Sequence, residues 1–308
     1  MAELKTRLEE MIGRNNCLAD EEMKKHTTFR VGGPADIYVT PNIAQLPQVI
    51  RVCMEENVPY YIVGNGSNLL VSDSGYRGVI IELKKNASKI FIRKPDEPME
   101  DDASIIEADA GALLSTVATS ALNVALKGFE FAAGIPGTVG GAVSMNAGAY
   151  GGEIKDVLID AKVYDIEADE IKTLSNEELK LGYRRSVISD GGYVVLSARI
   201  KLSKGEHDSI LAYMNELKEK RVSKQPLDMP SAGSTFKRPE GYFAGKLIED
   251  AGLKGFAVGG AMVSQKHAGF VVNAKDATAS DIYTLIKAIQ KIVKDRFDVE
   301  LEPEVKMI

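Results

Sequence analysis

Between Gly128 and Gly152 the chain places eight of its 28 glycines, and no other feature restricts its fold so strongly. Glycine in the interior of a helix or strand is costly, so such density marks backbone that turns tightly or lies close against something else. The run Ala133-Gly134-Ile135-Pro136-Gly137-Thr138-Val139-Gly140-Gly141-Ala142 is its centre. Its free amides can form a concave anion-binding nest, which suits a diphosphate. Tight turns alone explain the same residues equally well. A second loop, Gly64-Asn65-Gly66-Ser67-Asn68, follows the apolar run Tyr60–Val63, which reads as a short buried strand. Two such loops can hold both sides of one extended diphosphate. Neither matches GxGxxG or GxxxxGK[ST], which argues against a doubly wound dinucleotide fold and a nucleoside triphosphatase.

Periodicity predicts helices over 4–14, 43–56 and 113–126, and strands over 79–83, 90–93, 105–108, 157–164, 171–174 and 193–202. An acidic stretch, Pro95 to Asp102, reads as a solvated surface loop. The mixture is α+β rather than a regular βαβ array. Lys204-Gly205-Glu206 reads as a boundary, followed by an amphipathic helix with Ile210, Leu211, Met214 and Leu217 on one face. A last helix runs from about Ser280, the expected N-cap, to Phe297, with Ile282, Leu285, Ile286, Ile289, Ile292 and Val293 on one stripe. The expected division is a first region at 1–204, in two α+β parts at about 1–70 and 71–204, and a further domain at 205–308.

Composition narrows the function classes. A chain of 308 residues can bury more than one core. Its formal charge of −6 and pI near 5.4 give no footprint for nucleic acid. Cys17 and Cys53 form no CxxC, and His26, His207 and His267 lie far apart, so neither a disulfide framework, a structural zinc site nor a catalytic metal is expected. The charged segment MAELKTRLEEMIG is unlike a secretory signal, and no apolar run reaches membrane-spanning length. These features predict a cytoplasmic protein without a membrane partner.

Three runs then stand together: Thr27-Thr28-Phe29-Arg30-Val31-Gly32-Gly33-Pro34-Ala35-Asp36, the loop at 64–70, and AGIPGTVGGAVSMNAGAYGGEI at 133–154. They resemble the FAD-binding half of the UDP-N-acetylenolpyruvoylglucosamine reductase family, whose fold is shared with p-cresol methylhydroxylase-like and vanillyl-alcohol oxidase-like flavoproteins. The resemblance continues through GYRRS at 182–186, SAGSTFK at 231–237, KHAGF at 266–270 and LEPEV at 301–305, and so spans nearly the whole chain. GYFAGK at 241–246 and Arg238 resemble the family's shorter subgroup, and Arg238 stands where longer members carry asparagine.

The resemblance implies an enzyme with non-covalent FAD that takes NADPH as co-substrate and reduces UDP-N-acetylglucosamine enolpyruvate to UDP-N-acetylmuramate, with 1–204 the FAD-binding region, 205–308 the substrate-binding domain and the last strand returning to the active site. It implies Arg184 as the charged partner of the substrate carboxylate, with Arg185 the alternative register, Ser234 as proton donor, and Glu304 rather than Glu302 as the nearby carboxyl group. Gly64, Asn65, Gly66, Ser67, Asn68, Gly134, Ile135, Pro136, Gly137, Thr138, Gly140, Gly141 and Ala142 are the expected cofactor contacts. Tyr183, Lys224, Lys237 and Arg238 are the expected substrate contacts, with Arg221 assisting. Another FAD oxidoreductase of the same fold and a non-catalytic nucleotide-sugar binder stay open beside this reading. A monomer is compatible with the sequence, which leaves the oligomeric state open.

Overall fold

The computed structural model describes residues 1–93 and 103–308; the acidic stretch Pro95 to Asp102 lies outside the described residues. The first sheet is mixed, in the spatial order Cys17–Glu22, Pro34–Val39, Tyr76–Glu82, Tyr60–Val63. Cys17–Glu22 and Pro34–Val39 pair antiparallel, while Tyr76–Glu82 runs parallel to both of its neighbours. Parallel neighbours need a crossover. The helix Leu46–Glu55 supplies it, with Pro47 in its first turn and Val49, Ile50 and Cys53 buried. Val79, Ile80 and Ile81 are all fully buried, as in a strand covered on both faces.

The second sheet is antiparallel, ordered Glu170–Ser175, Leu158–Asp165, Tyr193–Lys204, Ser104–Asp109, Ile90–Arg93. Its long strand Tyr193–Lys204 also pairs with Leu126–Lys127. The helices Leu114–Asn123 and Val139–Met145 belong to the same core, which brings the second glycine run next to this sheet.

The C-terminal part packs the helices Ala244–Asp250 and Ala279–Phe297 on a small sheet of Ala257–Val258, Ala261–Val263 and Val271–Asn273. Ile282, Leu285, Ile286, Ile289 and Val293 are fully buried, so the expected stripe is the core face. The cap differs from expectation. Thr278, with extended backbone, accepts from the Asp281 amide at 3.0 Å, and the Asp281 carboxylate accepts the Thr278 amide at 3.0 Å. This capping box puts the N-cap two residues earlier than expected, which leaves Ser280 inside the first turn. There its hydroxyl donates to Asp73 at 2.6 Å, and Asp73 also accepts from the amides of Ala279 and Ser280. A second departure concerns the helix His207–Lys224. Ile210 and Leu217 are buried but Leu211 is exposed, because the helix meets the body along a narrower stripe than its apolar residues suggest.

The chain's last segment crosses back. Lys306–Met307 pairs parallel with Leu69–Leu70, immediately after the first glycine loop. Phe29, Val31 and Leu70 share a hydrophobic cluster with residues of the C-terminal part. Among the described residues no helix is long and apolar enough to cross a membrane.

Candidate active site

The two glycine loops lie against one another. Asn65 donates its side-chain amide to the Pro136 carbonyl at 2.7 Å, and a Cβ on Gly64 would sit 2.1 Å from Thr138 Oγ1. Gly66 adopts φ +60°, and a Cβ there would meet the His26 carbonyl at 2.0 Å. These two glycines are needed for packing, whatever the loops bind. Gly140 likewise packs on Ala110 and donates its amide to the Ala110 carbonyl, so it holds the loop in place rather than offering an anion donor. Gly137 and Gly141 differ, since nothing lies within 3.7 Å of a Cβ built on either.

The amides of Asn65, Gly66, Ser67, Gly137 and Thr138 meet no acceptor within the chain among the described residues. Free amides from two loops in contact, with open space above Gly137 and Gly141, form a cradle that fits the diphosphate of FAD. Arg221 packs beside it, its Cδ 3.1 Å from where a Gly134 Cβ would be. It is half-buried, burial lowers its pKa, and it forms no ion pair among the described residues.

The expected catalytic residues come from three separate segments. Gly182 to Arg185 form a tight turn closed by hydrogen bonds between Gly182 and Arg185. Its last corner is Arg184, held at φ +55°, a region that a residue other than glycine enters at a cost of order 1–3 kcal/mol. That turn points the guanidinium at Glu304, and Arg184 Nε donates to Glu304 Oε1 at 2.7 Å. Arg185 instead folds back on Gly182 and is exposed.

Glu304 is held through its backbone, its amide donating to the Thr235 carbonyl at 2.8 Å. Burial raises the pKa of its carboxyl group, and Arg184 and Lys237 pull it only partway back. Glu302, two residues away, is exposed and pairs with the Lys237 ammonium. Thr235 is fully buried, its hydroxyl accepting from the Val271 amide at 2.9 Å and its amide donating to Gly269. Ser234, beside it and after Gly233 at φ +77°, is exposed.

Arg184, Ser234 and Glu304 line one cavity of about 360 Å³. Tyr183 and Arg238 line it too: the Arg238 amide donates to the Tyr183 hydroxyl, and its guanidinium lies 3.9 Å from the centre of the Phe243 ring. Lys224 is exposed at the end of its helix and is not part of this wall, nor is Lys237. Phe243, Lys246, Lys254, Lys266 and His267 line the cavity although no sequence motif assigns them to it. Four of them belong to GYFAGK and KHAGF, whose clustering of basic and aromatic residues was the available signal. The wall is cationic overall, which suits an acidic ligand.

Comparison with known proteins bears directly on this arrangement. Residues 35–175 match the FAD binding domain family, and residues 225–308 match the C-terminal domain of UDP-N-acetylenolpyruvoylglucosamine reductase. The chain is 55% identical over 302 residues to the UDP-N-acetylenolpyruvoylglucosamine reductase of Agathobacter rectalis, covering 97% of this chain and 96% of that one. It is 50% identical to the enzyme of that name from Clostridioides difficile, covering 97% and 95%. The crystal structure of the reductase from Thermus caldophilus superposes with a TM-score of 0.76 at 34% identity, over 94% of this chain and 97% of that one.

Proposed function

The chain belongs to the UDP-N-acetylenolpyruvoylglucosamine reductase family, and we propose that Arg184, Ser234 and Glu304 carry the substrate half of its reaction. It is an FAD-dependent oxidoreductase of peptidoglycan precursor synthesis that uses NADPH to reduce UDP-N-acetylglucosamine enolpyruvate to UDP-N-acetylmuramate. Family membership favours this reading over another oxidoreductase of the fold or a binder without turnover.

When bound, FAD relays a hydride from NADPH to the vinyl methylene of the substrate. Negative charge then builds on the adjacent carbon and its carboxylate. Arg184 uses one donor on Glu304 and keeps the rest of its guanidinium for that carboxylate. Ser234 gives its proton to the adjacent carbon; a hydroxyl is a weak acid, so transfer must accompany the growth of negative charge. Glu304, its carboxyl group made less acidic by burial, steadies the Arg184 fork and, when protonated, adds no repulsion to the incoming carboxylate.

The loops at 64–68 and 134–142 hold the cofactor diphosphate non-covalently, and Arg221 adds charge beside them. Tyr183 and Arg238 contact the sugar nucleotide within the cavity, whereas Lys237, paired with Glu302, and Lys224, at the end of its helix, lie outside its wall. The setting is the cytoplasm, in keeping with NADPH and a nucleotide sugar as substrates and with two free, buried cysteines.

The observation that carries these roles is the convergence of three distant segments on one cationic cavity, with Arg184 and Glu304 in contact. An anaerobic absorbance experiment tests the reading. Purified protein is expected to show a flavin spectrum that NADPH bleaches and the enolpyruvyl nucleotide restores. Bleaching without recovery would remove the substrate assignment.

A further inference from the structure

The two asparagines of the first glycine loop take opposite partners. Asn65 reaches the second glycine loop through the Pro136 carbonyl. Asn68 reaches the C-terminal segment: its side-chain amide donates to the Glu304 carbonyl at 3.1 Å, and its own carbonyl accepts the Lys306 amide at 3.0 Å. Glu304 is thereby gripped on both sides of one residue, by Asn68 at its carbonyl and by the Ser234–Thr235 loop at its amide. The neighbouring contacts repeat the pattern, since the Lys237 amide donates to the Glu302 carbonyl at 2.8 Å and Phe236 bridges Pro303. With both backbone groups of Glu304 fixed, the direction of its side chain is fixed as well, and that direction sets the 2.7 Å contact with Arg184.

We propose that Asn68 is a positioning residue that ties the cofactor-holding loop to the Glu304 segment, so that the carboxyl group and Arg184 keep their geometry only while this loop is in place. The proposal rests on the roles assigned to Glu304 and Arg184 above. Without the Asn68 side chain the Glu304 carbonyl turns to water and the segment gains freedom. Even a small misplacement of a group that orients substrate slows the reaction.

The test is a double-mutant cycle read on each half-reaction separately, with full-length enzyme at saturating FAD. Asn68→Ala is expected to slow recovery of the flavin absorbance by the enolpyruvyl nucleotide about tenfold, the scale of removing one hydrogen bond to a positioned group. In a Glu304→Ala background the same change is expected to cost less than about twofold, because there is no longer a carboxyl group to position.

Lys306→Pro removes the other strand of the tie from outside the loop, by deleting the amide that Asn68 accepts. It is expected to slow the same step while FAD affinity, read by flavin fluorescence, stays within about twofold. If Asn68→Ala does not retain FAD, the cycle of Lys306→Pro with Glu304→Ala decides. Effects that multiply in the Glu304→Ala background, or a Lys306→Pro enzyme slowed equally in bleaching by NADPH, would overturn the proposal. Wild-type enzyme that bleaches and does not recover would instead strike the reading on which it rests.

Discussion

The proposed cofactor cradle and the proposed substrate cavity are built on opposite plans. In the cradle the working groups are backbone amides, and the glycines exist to let two loops touch: a Cβ on Gly64 would lie 2.1 Å from Thr138 Oγ1. In the cavity the working groups are side chains from distant segments, and the backbone's task is to aim them. The cost of aiming is visible at Arg184, which sits in the left-handed region without being a glycine. A site made of backbone tolerates no bulk, whereas a site made of side chains tolerates no truncation.

That contrast can be broken from either side. The largest effect is expected for Ser234→Ala. Recovery of the flavin by substrate should slow by roughly 10²–10⁴, the range for loss of one proton donor, while bleaching by NADPH stays nearly unchanged in stopped-flow absorbance. Equal slowing of both steps would remove Ser234 from its role. Next comes Arg184→Ala, expected to cost about 3 kcal/mol in the substrate step, with Arg185→Ala near wild type. The reverse ranking would move the role to Arg185. The same change should raise the Glu304 pKa further, since it removes a charge that opposes the effect of burial; carboxyl-carbon NMR would show it.

On the cradle side, Gly64→Ala puts a Cβ 2.1 Å from Thr138 Oγ1, on a buried, β-branched side chain that must shift to accept it. A loss of about 1–3 kcal/mol in thermal or denaturant unfolding is expected, together with a lower flavin-to-protein absorbance ratio. Gly141→Ala, with nothing closer than 3.8 Å, should leave the apoprotein's stability nearly unchanged and weaken FAD alone. Similar stability losses in both variants would erase the distinction.

The smallest effect is expected for the contact between the two parts of the chain. Asp73→Asn should cost about 1 kcal/mol at neutral pH, as for loss of a charged helix cap. Burial pushes the Asp73 carboxyl up, but the Ser280 hydroxyl and the amides of Ala279 and Ser280 outweigh it, so its net pKa is lowered. The stabilisation is therefore present above the unfolded value and is lost as pH falls through the folded one. Urea titrations should show wild type and variant converging in acid; a gap that persists there would assign the contact a purely steric role.

Much of this is legible in the sequence where the signal is local. Tyr60–Val63 and Ile90–Arg93 fall where alternation and turn residues predict them, and the stripe of the last helix is its buried face. The helix cap departs from expectation because Ser280 and Thr278 are both good capping residues, and only the backbone conformation of Thr278 and the pull of Asp73 on Ser280 distinguish them. Leu211 departs from it because periodicity reports which face is apolar, not how wide a surface the body offers to cover it.

By itself the sequence determined the family, the glycine loops, and the residue types that could meet a carboxylate, a diphosphate and a proton acceptor. All of these are properties of short runs, and short runs carry their own spacing. The resemblance already favoured Arg184 and Glu304, but only the tertiary structure brings the two into contact. Glu302 and Glu304 differ by two positions and offer the same chemistry, yet one is exposed beside Lys237 and the other is half-buried against Arg184. The choice is made by Thr235 and Asn68 holding one peptide segment from two directions, and those residues lie in parts of the chain that meet only when it folds.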